Sequence, residues 1–364
     1  MNRLRPLRIG AMISGCIVLV LIGFLMTPTG CYLGRAGWEE AKILAGRRPI
    51  EALVADPTLD DATRAKLRIV LAARAFAADS LSLAAGRSFT MFTKLERDTL
   101  LLLLSAARRD ALEARTWWFP IVGRVPYKGF FHFDQAHREA RRLESDGYDT
   151  FLRPASAFST LGWFNDPLLS TTLRLDSLEL TNTVIHELVH NTFYPPGQAV
   201  FNESFANFVG ARGAAWFFRS RGDTIAAELV ELRWEDDKRL ARFWTSLWTS
   251  LDSAFRAHPE DIESRLAARE DIYARARGTL RTEIAPSLRT FPPSFAERVR
   301  LDNAALLARR VYMTDLDVYD AVLEREDGDV RRAIDRIIAL ARAADHDPFV
   351  ALREWLDAPG VFPE

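Results

Sequence analysis

"TNTVIHELVHNTFYPPGQAVFNESFANFVG", residues 181–210, holds two histidines a helical turn apart, a glutamate beside the first and a second glutamate downstream. Just ahead of it, Asp176-Ser177-Leu178-Glu179 carries the spacing of an N-terminal capping signal. Leu180, Val184, Ile185, Leu188 and Val189 supply an apolar face, and Pro195-Pro196 end the pattern. The spacing predicts a buried helix over 177–194. On such a helix His186 and His190 project from one face, so both rings can reach a single Zn²⁺ at about 2.0–2.1 Å. Glu187 is rotated by about 100° from His186, where it can hold and deprotonate a water without binding the metal.

The stretch "NTFYPPGQAVFN" separates His190 from Glu203, and its Pro195, Pro196 and Gly197 can reverse the chain. A second helix is expected over 201–220, with Glu203 in a first turn whose dipole favours a carboxylate. Ala206, Asn207, Gly210 and Ala214 follow on the face of Glu203, while Phe205, Phe208 and Trp216 point elsewhere. A face of small residues lets one helix approach another closely, as a third ligand requires. His186, His190 and Glu203 are therefore the expected ligands of one Zn²⁺ per chain. The fourth position is left to water, as in catalytic rather than structural zinc sites. The reaction class is amide hydrolysis with Glu187 as general base. The plainer alternative is two helix histidines satisfied by local partners and a surface Glu203 on a tightly packed helix.

HExxH followed by a glutamate on the next helix resembles the gluzincin metallopeptidases, whose second helix often carries the Asn-Glu pair found here as Asn202-Glu203. More narrowly, "STLGWFNDPLLST" (159–171), "VIHELVHNTFY" (184–194) and "FNESFANFVG" (201–210) resemble a bacterial family of predicted aminopeptidases with lipoprotein-like N-termini. The similarity runs from about Cys31 to Asp317, with "LDNAALLARRVYMTDLD" (301–317) a weaker match. The resemblance implies a gluzincin-like zinc peptidase core, peptide substrates and aminopeptidase activity.

Composition sets the outer limits. The 364 residues are 48% apolar and 27% charged, and 48 Lys+Arg nearly balance 49 Asp+Glu. No global field attracts nucleic acid, and clusters such as Arg108-Arg109 and Arg309-Arg310 read as solvated helix faces. The first thirty residues differ. Arg3, Arg5 and Arg8 precede the uncharged run 9–26, which reads as an export signal or anchor outside the fold. Gly30-Cys31 resembles a bacterial lipidation site, although Pro28 stands where such signals usually carry Leu. Lipidation at Cys31, or an uncleaved single transmembrane helix, would tether the chain to the bacterial envelope, facing the periplasm. Cys16 lies in this leader and Cys31 directly follows it, so the chain beyond Cys31 has neither disulfides nor thiolate ligands.

The pattern predicts an α+β chain: a leader over 1–30, helices with a small mixed sheet over 31–175, and a helical part over 176–364. Helices are expected at 34–47, 58–79 and 134–146, and short strands between 87 and 133 and over 148–164. Asp166-Pro167 reads as the start of a short helix. Beyond 176 further helices are expected at 223–256, 258–289, 294–311, 315–325, 328–344 and 347–357.

Ser159, Thr160, Leu161 and Gly162 lie where an edge strand could pair with an extended substrate backbone. Tyr312 is the leading candidate for an oxyanion donor, with Tyr194 and Tyr148 behind it. Asp166, Asp315 and Asp317 could hold a substrate's free amine. His132, His137, His258 and His346 read as surface or structural residues. Two readings compete with a peptidase: a catalytically silent envelope scaffold, and another zinc amide hydrolase. The intact ligand set with Glu187 argues against the scaffold. An intramembrane protease is excluded by a single spanning segment remote from the HExxH helix.

Overall fold

A computed structural model describes residues 23, 25–119, 123–155 and 167–358. The architecture is α+β, as expected: helices dominate, and three small sheets lie in the N-terminal half. Helix α1 (Pro28–Ala45) is followed by the short α2 (Ile50–Ala55) and by α3 (Asp61–Asp79), which Asp60 caps by accepting from the Thr63 amide. The central strand is β3 (Leu101–Arg108), between β6 (Lys128–Phe130) and β7 (Tyr148–Ala155), both antiparallel to it. The register places Leu101 opposite Ala155 and Arg108 opposite Tyr148. Helix α4 (Phe133–Ser145) covers one face of this sheet, where Ala136, Ala140 and Leu143 pack on Leu104 and Ala106.

Strands β1 (Arg48–Pro49) and β2 (Met91–Thr93) form a second sheet, which β8 (Leu168–Leu169) joins in parallel. The expected helix at Asp166-Pro167 is thus corrected. Asp166 lies outside the described residues, and the chain after Pro167 pairs as a strand before a 3₁₀ turn at Thr172–Arg174. The pairing of Phe92 with Leu168 and Thr93 with Leu169 buries both leucines, which a solvent-facing first turn would not do. A third sheet is the hairpin of β4 (Trp117–Phe119) and β5 (Gly123–Val125).

The helical part follows as α5 (Ser177–Thr192), α6 (Ala199–Ser220), α7 (Thr224–Ala257) and α8 (Ile262–Thr279). The helix expected over 258–289 is continuous over 262–287, with α8 passing through a π-helical turn (Leu280–Ile284) into Ala285–Ser287. That expected over 294–311 divides into Phe295–Arg298 and α9 (Asn303–Arg310). Helices α10 (Leu316–Arg325), α11 (Val330–Ala343) and α12 (Pro348–Asp357) complete the chain.

One core spans both parts. Leu67 and Val70 of α3 pack with Leu180, Val184, Ile185, Leu188 and Val189 of α5, all fully or almost fully buried. Phe201, Phe205 and Phe208 on α6 stack around Tyr319 of α10, ring centroids 5.5–6.1 Å apart. Each such buried ring contributes on the order of 2–3 kcal/mol by leaving water. Among the described residues no helix is long and apolar enough to cross a membrane. The apolar run at 9–26 falls almost wholly outside them, whereas Cys31 lies exposed within α1.

Candidate metal centre

Helix α5 begins as its sequence dictates. The Asp176 carboxylate accepts from the amides of Leu178 and Glu179 at 3.0 and 2.9 Å, satisfying donors that the first turn leaves unpaired. At the other end Gly197 takes φ +80°, a left-handed conformation that glycine adopts without strain, and the chain reverses. Asn202 is buried and donates from Nδ2 to the Pro195 carbonyl at 2.9 Å, tying the turn to α6. Because α6 starts at Ala199, Glu203 sits in its second turn rather than its first, so the dipole contribution expected there is weaker.

The small-residue face does what its composition predicts. Ala206 and Ala214 are fully buried. A Cβ built on Gly210 would collide with Asn182 Oδ1 and stand 3.1 Å from the Asn182 carbonyl oxygen. One on Gly213 would meet Ile185 Cγ2 at 3.2 Å and Leu81 Cδ1 at 2.8 Å. These contacts bring α6 against α5 and carry Glu203 to the histidines.

There Glu203 Oε2 lies 3.3 Å from His186 Nε2 and 3.7 Å from His190 Nε2, and the two Nε2 atoms are 3.2 Å apart. A tetrahedral ion with arms of 2.0–2.1 Å has ligand-to-ligand edges of roughly 3.3–3.4 Å. Two edges lie within 0.1 Å of that figure and the His190–Glu203 edge of 3.7 Å is slightly longer, so the residues fit a tetrahedral cation after a small closure. Their side chains are 12%, 11% and 19% exposed for His186, His190 and Glu203. Among the described residues this is the one trio of His, Cys, Asp or Glu that could share an ion.

The electrostatics agree. Burial works against a charged Glu203, but hydrogen bonds from His186 and His190 and their charges outweigh it and hold the carboxyl down at about 2. Burial likewise opposes a charged His186, yet the bond to Glu203, the fields of Glu187 and Glu203 and the Asn207 side chain raise its pKa. His190 Nδ1 is buried without a hydrogen-bond partner among the described residues.

Glu187 is half-buried and makes no hydrogen bond or ion pair among the described residues, although its charge acts on His186. Tyr312, in the turn after α9, feels both Glu203 and Glu187. Its hydroxyl oxygen accepts from Arg153 Nη2 at 3.3 Å, and its backbone carbonyl accepts from Asn207 Nδ2 at 2.8 Å. Tyr194 stacks edge-on against His190, centroids 5.5 Å apart.

Other expectations fare differently. Tyr148 packs with the sheet beneath α4, away from the metal trio. Asp317 is engaged by Arg242 at 2.8 and 2.9 Å and Asp315 by Arg353, so neither is free to hold an amine. His132, His137, His258 and His346 are exposed, as expected. Ser159, Thr160, Leu161 and Gly162 lie outside the described residues. Sequence reasoning missed Arg153 and Tyr127. Arg153 sits on β7 and Tyr127 just before β6, and only the fold brings them beside Tyr312; no local motif marks either. Burial first, then Tyr312 and Glu203, pushes the Tyr127 phenol pKa well up.

No curated protein and no solved structure shows significant similarity to the chain. A family comparison does, over residues 31–351, a span that contains all three ligand candidates, Glu187 and Tyr312. By that match the chain belongs to the family described as "Putative aminopeptidase".

Proposed function

We propose that this protein is a zinc-dependent aminopeptidase with a gluzincin-like core, tethered to the bacterial envelope through its N-terminus and facing the periplasm. The observation that carries the reading is the convergence of His186 Nε2, His190 Nε2 and Glu203 Oε2 at separations close to the edges of a zinc tetrahedron. Zn²⁺ held by these residues supplies a Lewis acid that polarises a carbonyl and brings a water's pKa toward neutrality. Glu187, unpaired and one position from a ligand, accepts the proton of the attacking water and hands it to the departing amine. Tyr312 donates its hydroxyl to the carbonyl oxygen as negative charge develops. Burial, Glu203 and Glu187 keep that phenol protonated against the opposing Arg153, whose guanidinium bonds to the oxygen and leaves the O–H to donate. Residues 159–162 are assigned to the substrate backbone by their position before β8. Anchoring by a lipid on Cys31 or by the apolar run 9–26 supports the envelope location.

The test is hydrolysis of matched peptides with free and blocked amino termini by the full-length protein in detergent, with and without a chelator. Chelator-sensitive cleavage of the free-amine peptides alone is expected. Equal cleavage of the blocked peptides would replace aminopeptidase by endopeptidase, and chelator-insensitive cleavage would remove the metal from the reaction.

A further inference from the structure

Beside the metal trio lies a cavity of about 340 Å³, room for roughly one or two amino-acid residues. Its walls are mainly apolar: Val200 from the first turn of α6, Trp248 from α7, and Leu307 and Val311 around the end of α9. Tyr312 connects it to the site, since it lines the cavity and lies in the field of Glu203 and Glu187.

Two guanidinium groups, those of Arg153 and Arg310, also line this cavity, and among the described residues no carboxylate does. Neither forms an ion pair among the described residues. Arg310 is covered by Trp248, its guanidinium carbon 4.4 Å from the ring centroid, and its Nη1 is buried without a hydrogen-bond partner. Arg153 stacks on Tyr312 at 5.2 Å, and its Nε is likewise buried and unpartnered. Several other enclosed arginines do meet a carboxylate: Arg212 meets Asp320, Arg269 meets Asp149, and Arg265 meets Asp110, whereas Arg309 lies under Trp244 without one. Removing a cation from water without a counter-ion is costly, and aromatic faces offset only part of that cost. Two uncompensated cations in an apolar pocket match a ligand that brings its own anion and an apolar body. Guanidinium groups pair best with planar, bidentate carboxylates.

We infer that this cavity is a carboxylate-binding subsite, in which Arg153 and Arg310 hold a carboxylate of the substrate while Trp248, Val200 and Leu307 cover its apolar part. This rests on the peptidase reading for the nature of the substrate. In an aminopeptidase the departing fragment carries the peptide's terminal carboxylate, and only in a very short peptide does that group lie beside the metal. The preferred substrates are then di- and tripeptides with an apolar last residue. An acidic side chain offers the same chemistry.

Three ligands separate these sources: Ala-Leu, Ala-Leu-amide and Ala-Glu-amide. Binding is measured by calorimetry on the full-length Glu187→Gln protein in detergent, and hydrolysis on the parent. Ala-Leu is expected to bind at least about tenfold tighter than its amide, the size of one charge-assisted hydrogen bond. Adding Arg310→Met or, separately, Arg153→Met brings that ratio toward one, while Arg153→Lys retains part of it. Circular dichroism checks that each variant is folded. Tighter binding of Ala-Glu-amide than Ala-Leu-amide, dependent on the same arginines, would assign the subsite to an acidic side chain. Equal binding of Ala-Leu and its amide, failure of all three to bind, or a ratio unchanged in both folded arginine variants would overturn the inference. If the parent cleaves nothing while the ratio and its arginine dependence persist, the peptidase reading falls and the subsite stands. Cleavage of Ala-Leu and its amide at equal efficiency, with no binding ratio, means the reverse.

Discussion

Glu203 Oε2 stands 3.3 Å from His186 Nε2, although the two residues belong to successive helices joined by a proline-rich turn. The contact depends on Gly197 reversing the chain, on Asn202 fastening the turn, and on Gly210 and Gly213 removing the side chains that would hold α6 off α5. Geometry at the site is thus written largely in residues that never touch a ligand.

Glu187→Gln keeps the shape of the side chain and removes its basicity. Peptide hydrolysis is expected to fall by about 10²–10⁴-fold, the usual contribution of a general base, with zinc retained at one per chain. Turnover assays and metal analysis on the same preparation check both halves, and undiminished hydrolysis would remove Glu187 from the mechanism.

Glu203→Ala leaves two imidazoles to hold the ion. Zinc affinity should fall by more than the roughly 10–100-fold that outer-shell partners contribute. A competition titration against a chelator reads the change, and an affinity equal to the parent's would break the ligand assignment.

Zinc binding should weaken as the solution is acidified. The pKa of His186 is raised, so its proton competes with the metal at higher pH than for an ordinary imidazole. Glu203, held down at about 2, stays ionised and adds nothing to the slope near neutrality. Affinity is expected to drop at least about tenfold per pH unit below the His186 pKa, since that proton must leave before the ion binds. Affinity independent of pH between 5 and 8 would contradict this.

Gly210→Ala places a methyl group against Asn182, whose backbone oxygen cannot yield as a side chain can. A destabilisation of about 1–3 kcal/mol is expected from forced overpacking, with a loss of zinc affinity as the helices part. Thermal melting and zinc titration together distinguish this from simple unfolding, because Ala214→Gly on the same helix should weaken stability without shifting the helices apart.

Asp237, on α7, is pushed up to about 7 by burial, with Glu179 and Asp236 adding to the effect and Arg233 opposing it. Its folded value lies above the ordinary carboxylate range, so the stability it lends is complete below about pH 4 and lost as pH rises through 7. Asp237→Asn should therefore melt later than the parent at pH 8, by about 2 kcal/mol, and nearly together with it at pH 4. Melting curves across that range decide it; a constant difference would locate the effect in packing.

The helices and the convergence of His186, His190 and Glu203 were legible because each rests on short-range rules. Capping by Asp176, the apolar positions of α5, the four-residue histidine spacing and the small face of α6 can all be read without knowing what lies opposite. The short helix expected at Asp166-Pro167 failed because a local capping signal competed with a tertiary one: Leu168 and Leu169 find a strand partner in β2, far earlier in the chain. The long helix expected over 258–289 runs without a gap from Ile262 to Ser287, but at Leu280 five residues take a π-helical turn that no periodicity announces. Arg153, Tyr127 and Arg310 could not have been grouped from sequence, since they come from a strand, a strand lead-in and a helix end. Asp315 and Asp317 looked available in the sequence and are consumed by Arg353 and Arg242.

At its far end, α6 is fastened independently of any ion. Asp320 of α10 accepts from Arg212 Nη2 at 2.6 Å, from Lys238 Nζ at 2.6 Å and from Trp234 Nε1 at 3.0 Å, joining α6, α7 and α10 through one buried carboxylate. Chelation should accordingly empty a rigid socket rather than melt the protein, and metal should return to it without the refolding that zinc-finger-like modules require.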